Sequence, residues 1–438
     1  MRPKVRRYLR AMQWTAADER AFEARGWTRN VADEQVALLH AGADLARAVR
    51  PATLGDGIAA WSEGEMRAFR GAARGTWARF IPASGAATRM FAGFEGPDRV
   101  RTLARWAEAA HRTGLVQGTE DADAVVRRWS HLPKGFLPFL RADAGWLTAF
   151  EAHAAENLLG HPPATLHFSI AAAHREAASE HLAGAQWHLQ PASTDTLAWD
   201  LEANTPARTA EGALRFRPGG HGALIGLLAG LPSEGIFIRN VDNVVPLDRM
   251  EQRAAWADAL AGHAVQLARE RDALFAQLED AEGRAAAWKW LTSFAQHPLA
   301  DAETLRAALD RPIRVAGMVR AAGQVGGGPF WVKAGGAVRL GILEGAEVPE
   351  GLAAGTHFNP VELACVTSLP SGRTFLPVEF SNPAACFTSS KVVEGRRLRI
   401  LEHPGLWNGA MEGWLTRFVE LPPDLFRPVK TWEDLIPT

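Results

Sequence analysis

Gly235-Ile-Phe-Ile-Arg-Asn-Val-Asp-Asn243 decides the fold. A glycine opens a short, continuous apolar run, and polar loop residues end it. That pattern describes a strand buried on both faces, as in parallel sheets covered by helices. Working outward, Ala78-Arg-Phe-Ile-Pro82, Thr165-Leu-His-Phe-Ser169 and Gln186-Trp-His-Leu-Gln190 also read as short strands, with another at Leu214-Arg-Phe216. Helical stretches at 147–159 and 171–183 separate some of them. Strands and helices alternating at this spacing imply βαβ units. The expected fold is α/β: a mixed, mainly parallel twisted sheet flanked by helices, Rossmann-like in outline.

Four regions follow. Residues 1–75 read as an N-terminal helical region, opened by Trp14-Thr-Ala-Ala-Asp-Glu with its threonine cap and acidic first turn. Residues 76–248 form the first half of the α/β domain. Long Ala/Arg/Glu/Leu helices then break the rhythm, so 249–310 reads as a helical insertion. Residues 311–438 return to strands with glycine turns.

The 438 residues are 47% apolar and 22% charged, with a formal net charge of −1. These values predict a soluble globular chain with no electrostatic footprint for DNA or RNA. No apolar run reaches the roughly 18 residues of a membrane span. The start, Met1-Arg-Pro-Lys-Val-Arg-Arg-Tyr8, lacks the apolar core and cleavage site of a signal peptide. Two cysteines, Cys365 and Cys386, make no disulfide framework, so the expected compartment is the reducing cytoplasm. Of 48 basic residues only six are lysines: Lys4, Lys134, Lys289, Lys333, Lys391 and Lys430. In a chain that uses arginine for generic charge, a lysine leans mildly toward a role as a compact point charge.

Ligands of open parallel sheets sit beyond the carboxyl ends of the strands, and three loops there carry suitable residues. In Pro82-Ala-Ser-Gly-Ala-Ala-Thr-Arg-Met90, small residues let main-chain N–H groups approach phosphate oxygens, and Arg89 can clamp them. A tight turn with a solvated arginine explains this loop as well. Phe216-Arg-Pro-Gly-Gly-His-Gly-Ala-Leu224 suits close approach of a flat ligand, although a glycine turn with a surface histidine is the simpler account. In Arg239-Asn-Val-Asp-Asn-Val-Val-Pro246, Asp242 is either a Mg²⁺ anchor shared with substrate phosphates or the centre of an Asx-turn.

Taken in order, the three loops resemble those of the nucleotide-sugar pyrophosphorylases, more closely the uridylyltransferase-type branch of the glycosyltransferase-A-like nucleotidyltransferases. Leu132-Pro-Lys134 looks like the lysine segment of that superfamily, although it lies 45 residues beyond Arg89. Leu340-Gly-Ile-Leu-Glu-Gly-Ala-Glu-Val348 is similar to its substrate-binding glutamate strand, and Gly355-Thr-His-Phe-Asn-Pro360 to its asparagine/histidine segment. Trp407 to Glu420 resembles its C-terminal closing segment. The likeness spans about 78–430, with 249–310 unmatched. The whole chain also looks like a bacterial family within the superfamily, with Gly55-Asp-Gly-Ile58 as a further match.

The resemblance implies that a nucleoside triphosphate and a sugar 1-phosphate give nucleotide-sugar and pyrophosphate, with Mg²⁺. It places Arg89 and Lys134 among the catalytic groups. Ala83, Ser84, Gly85, Ala86, Thr88, Gly219, Gly220, His221 and Gly222 would hold the nucleotide. Glu344, Asn359 and Lys391 would face the second substrate, and Asp242 with His357 the metal. Ser84 and Ala87 stand where the family has glycines. They keep open a non-catalytic binder of nucleotides or sugar phosphates, and a nucleotidyltransferase for another phosphate or a phosphonate is a third reading.

Overall fold

The strand Gly235–Ile238 is buried along its whole length. It pairs in parallel with Trp77–Pro82 and antiparallel with Glu362–Val366. Its side chains alternate between the two faces. Ile236 and Ile238 pack with Phe80, Leu363 and Met411 on one face, and Phe237 packs with Leu260, Val315 and Ala364 on the other. Both faces are therefore core, which is why the sequence shows a continuous apolar run and no polar alternation. The computed structural model describes residues 13–41, 47–296, 302–323, 327–334, 337–358 and 360–436.

Nine strands make the central sheet, in the order Thr53–Leu54, Gly57–Ala59, Leu415–Glu420, Ile313–Met318, Glu362–Val366, Gly235–Ile238, Trp77–Pro82, Ala164–Ile170, Gln186–Leu189. Glu362–Val366 runs antiparallel to both neighbours, and every other pairing in the sheet is parallel. The mixed, mainly parallel sheet is as expected. From Trp77–Pro82 the chain steps outward to Ala164–Ile170 and Gln186–Leu189, then returns to the other side as Gly235–Ile238. The strand order reverses there, so the carboxyl ends of Trp77–Pro82 and Gly235–Ile238 flank the crevice where such sheets bind ligands.

The segment read as a helical insertion, 249–310, holds helices, and the first of them, Leu247–Ala276, covers one face of the sheet. Ala257, Ala261, Ala264 and Ala268 line that side of the helix, and small side chains allow the close contact. Gly262 faces the helix Glu63–Arg70, where a Cβ would stand 1.7 Å from the Phe69 carbonyl oxygen. The N-terminal region, read as helical, differs from expectation, contributing the edge strand Thr53–Leu54 and its neighbour Gly57–Ala59 to the sheet. Its first helix is capped as predicted, Thr15 Oγ1 accepting from the Asp18 N–H at 3.2 Å. That helix and Arg29–Ala41 pack on a smaller sheet that includes Asp195–Asp200 and Arg396–Glu402, not on the central one. The strand expected at Leu214–Phe216 falls at Phe216–Pro218 and joins that smaller sheet.

Candidate active site

The first loop leaves Trp77–Pro82 with Ala83 buried and its N–H donated to Ser169 Oγ at 3.0 Å. Gly85, Ala86, Thr88 and Arg89 are exposed. Ala87 begins a short turn, Ala87–Arg89, and is not among the residues with positive φ, so alanine fits its backbone without strain. Among the described residues, the N–H groups of Ser84, Gly85 and Ala86 make no main-chain hydrogen bond. Three adjacent free donors at the end of a central strand form a cradle suited to an anion.

Lys134 comes to this loop directly. The Ala87 N–H donates to the Leu132 carbonyl at 2.9 Å and the Lys134 N–H to the Gly85 carbonyl at 3.3 Å. The helices Arg99–Arg112 and Ala122–His131 form an excursion that leaves the loop and returns to pair with it, which accounts for the sequence gap.

Asp242 follows Gly235–Ile238, and its Oδ2 accepts from Lys134 Nζ at 3.2 Å and from Lys430 Nζ at 2.6 Å. Lys134 Nζ also reaches the Val429 carbonyl at 3.3 Å. Burial raises the Asp242 pKa, but the Lys430 and Lys134 ammonium groups outweigh it and hold the carboxyl below its usual range. Burial, with Lys430 and Arg89 nearby, lowers the Lys134 pKa against the pull of Asp242. Asn243 ties the loop to the C-terminal segment, its Oδ1 accepting from the Arg427 N–H at 3.2 Å. Asp242 itself spends its carboxylate on cations, so the turn-forming account does not describe it.

The loop is held from beneath. His153 Nε2 lies 3.0 Å from the Val241 carbonyl, and burial takes that imidazole down to about 3, so it is neutral and donates. Arg239, fully buried, pairs with Glu156 at 2.7 Å and with Glu362 through Nε at 2.6 Å. Arg79 adds a 3.0 Å bond to Glu362.

The second loop forms another cluster. A Cβ at Gly222 would lie 1.9 Å from the Pro404 carbonyl oxygen, and one at Gly219 would meet the His403 ring at 2.2 Å. Both glycines thus serve close contact with residues 403–404. His221 stacks on Trp407, centroids 4.6 Å apart, and its Nδ1 accepts the Leu406 N–H at 3.0 Å. Burial lowers its pKa to about 4. Glu344 Oε1 is 3.9 Å from His221 Nε2, too far for a hydrogen bond. Burial pushes the Glu344 carboxyl up to about 7; Glu347 and Glu402 add to this, and the Asn408 amide offsets part. No hydrogen bond or ion pair joins this cluster to Asp242 and Lys134 among the described residues.

Two expected residues stand apart, and a third is not described. His357 is engaged by its own neighbours, Nδ1 at 2.9 Å from Thr356 Oγ1 and Nε2 at 3.2 Å from Glu420, with no contact to Asp242. Lys391 lies on Phe387–Val393 in the smaller sheet, opposite Leu398 and bonded to none of the other candidates. Asn359 lies outside the described residues.

Sequence reasoning missed Lys430, although its rarity as a lysine was as good a signal as that of Lys134. It also missed Gln190, next after the strand Gln186–Leu189, whose buried Nε2 has no partner. Asn408, 1% exposed with neither side-chain polar atom in a hydrogen bond of good geometry, was the third. Single amides carry no signal in one sequence.

Mg²⁺ fits a site of this kind only in part. Among the described residues no three His, Cys, Asp or Glu side chains gather as a ligand set. One carboxylate is nonetheless enough where substrate phosphates supply the remaining oxygens.

The sequence pattern described as domain of unknown function (DUF4301) matches residues 15–111 and 123–438. The chain belongs to this family. No curated protein matches it. Among solved structures, this DUF4301 chain is similar to the uridine diphosphate N-acetylglucosamine pyrophosphorylase of Trypanosoma brucei, crystallised with an inhibitor. The TM-score is 0.50 at 15% identity, over 100% of this chain and 84% of that one. It is likewise similar to the UDP-glucose phosphorylase of Trypanosoma brucei, TM-score 0.50 at 13% identity, over 96% and 77% of the two chains. The fold is therefore nucleotide-sugar pyrophosphorylase-like. No helix among the described residues is long and apolar enough to cross a membrane.

Proposed function

We propose that this DUF4301 protein is a nucleotidyltransferase of the pyrophosphorylase type. It would join a nucleoside triphosphate, UTP foremost, to a sugar 1-phosphate and release pyrophosphate. The observation that carries the reading is Asp242 between Lys134 and Lys430 at the strand-order reversal, beside the free N–H groups of Ser84 to Ala86. The sugar-type acceptor and the uridine base rest on the likeness to pyrophosphorylases and are the finer part of the proposal.

A phosphate oxygen of the sugar 1-phosphate attacks the α-phosphorus in line. The bond from that phosphorus to the bridging oxygen breaks, and pyrophosphate leaves with the electron pair. No proton need move, so the protein's task is positioning and charge neutralisation. The Ser84–Ala86 N–H groups and Arg89 hold the departing phosphates. Lys134 sits between the α-phosphate and the attacking phosphate, two anions that repel each other until a cation bridges them. Lys430, bonded to the same Asp242 oxygen, supplies a second charge. Asp242 would hold Mg²⁺ jointly with phosphate oxygens, and the ion would offset charge growing on the leaving group. Gln190 offers an amide to a base edge, and Glu344 with Asn408 offers groups to sugar hydroxyls.

The test is pyrophosphate release by the purified chain across a panel of triphosphates and sugar 1-phosphates with Mg²⁺. Turnover with at least one pair, abolished in Asp242→Ala, is the expected result. Saturable stabilisation by nucleotide with no pyrophosphate from any pair would leave the non-catalytic binder as the answer.

A further inference from the structure

A cleft of about 510 Å³ opens where Asp310 and Arg311 lead into Ile313–Met318 and Gly413 leads into Leu415–Glu420. These are the amino-terminal ends of two parallel strands. Both run the same way as Gly235–Ile238, because the intervening Glu362–Val366 is antiparallel to its two neighbours. The cleft is therefore at the opposite end of the sheet from Asp242.

Its charges balance in number but are not paired one to one. Arg373 is neutralised by Asp310 at 2.7 Å and Glu379 at 2.5 Å. Glu412 is taken by Arg47 and by the Asn382 amide at 2.7 Å. Two guanidinium groups are left without a carboxylate partner. Among the described residues the Arg339 guanidinium makes no hydrogen bond or ion pair, and that of Arg311 gives only its Nε–H to the Ala307 carbonyl at 3.3 Å. Both are half-buried, and burial lowers the Arg339 pKa with nothing opposing it. Arginine stays charged through such a shift, so the cost of desolvation persists until a counter-ion arrives.

The geometry points to an oxyanion site here, filled by a carboxylate or phosphate of a small molecule that takes the Arg339 and Arg311 forks. The cleft volume falls in the range of small-ligand pockets. A narrow apolar notch of about 30 Å³ beside the two arginines, lined by Leu291, Phe294 and Trp414, has room for a water or a methyl group but no ring. The bulk of the ligand must then lie in the open cleft, with its anionic end inward. Planar two-oxygen anions match guanidinium forks in pairs, which a diffuse surface charge does not offer. The site does not depend on the proposed reaction, whose groups lie at the other end of the sheet.

Titration calorimetry of the full chain with inorganic phosphate, and separately with malonate, tests it in a buffer free of other polyvalent anions. The expected result is saturable binding of at least one probe. Arg339→Gln and Arg311→Gln should each weaken it at least tenfold, and Arg67→Gln, an exposed cation outside both sites, should leave it within twofold. The tighter probe tells a phosphate ligand from a dicarboxylate. If Arg339→Gln fails to fold, Arg339→Lys keeps the charge, loses the fork, and should also weaken binding. Parent-like affinity in folded Arg339 and Arg311 variants, or no saturable binding of either probe by the parent, overturns the site.

Discussion

Lys134 carries the most demanding assignment at the scale of single residues, because its ammonium must serve two phosphates from a largely buried position. It is held there by Asp242 and by the Val429 carbonyl. An arginine would keep the charge but bring a larger planar fork into the same space. Lys134→Arg and Lys134→Ala are both expected to lower turnover at least about tenfold, on the order of 1.4 kcal/mol at the transition state. Triphosphate binding should change much less, since Lys430 and Arg89 remain. Parent-like turnover in Lys134→Arg would move the assignment to Lys430. Glu344 gives a second expectation through pH. Its folded pKa of about 7 lies above the ordinary 4.5, so the folded state binds the extra proton. The stability it contributes is full below about 4.5 and is lost as pH rises through about 7, at most about 3 kcal/mol. Glu344→Gln should remove that slope. Unfolding of parent and variant in denaturant from pH 5 to pH 8 would show the gap closing or reversing toward pH 8, and a constant gap would contradict the assigned titration.

At the scale of elements, the excursion between Arg89 and Lys134 matters because its return strap fixes the lysine. Gly135 lies on that strap, and a Cβ there would meet the Phe150 ring at 2.1 Å. Phe150 is locked between Phe168 and Trp187, with ring centroids at 4.9 Å from each. The ring cannot yield cheaply, so Gly135→Ala should cost about 1–3 kcal/mol and displace Lys134. A folded Gly135→Ala with unchanged melting temperature and activity would mean that the strap is adjustable. These elements also show what one sequence discloses. The strand Gly235–Ile238 was legible because burial on both faces writes a continuous apolar run, and Trp77–Pro82 and Ala164–Ile170 because short β-prone stretches there are bounded by loop residues. The loops after the first two of these were legible because small residues, arginine and Asn-X-Asp-Asn sit at strand ends. Thr53–Leu54 and Gly57–Ala59 were hidden, since strands of two and three residues leave no period to detect. The meeting of Lys430 with Asp242 was hidden as well, because 188 residues separate them and only tertiary pairing joins them. Leu247–Ala276 was visible as a helix, yet its alanine-rich face gave no sign that it covers the sheet.

At the scale of the whole molecule, Glu362 is the point where the layers and the third loop are tied together. It stands on the antiparallel strand, 1% exposed, and is reached by Arg79 from one strand, Arg239 from the next and Arg253 from the long helix. Glu156 is the other carboxylate of the group, paired with Arg239 and held at about 2 by the surrounding arginines in spite of its burial. Three arginines against two glutamates leave one positive charge over, with His153 neutral. Removing one glutamate charge would leave three buried arginines facing one carboxylate. Breaking a buried pair in this way costs about 3–5 kcal/mol, far more than an exposed bridge. Glu362→Gln is therefore expected to lower the unfolding free energy by about that amount and the melting temperature with it. Arg239 leads directly into Asn240-Val-Asp242, so the same change should loosen the loop and reduce turnover in the fraction that stays folded. Glu120→Gln, on an exposed pair with Arg128, is the control and should cost no more than about 1 kcal/mol. Equal losses in the two variants would show that the buried network adds nothing specific, and that Asp242 is positioned by Lys134 and Lys430 alone.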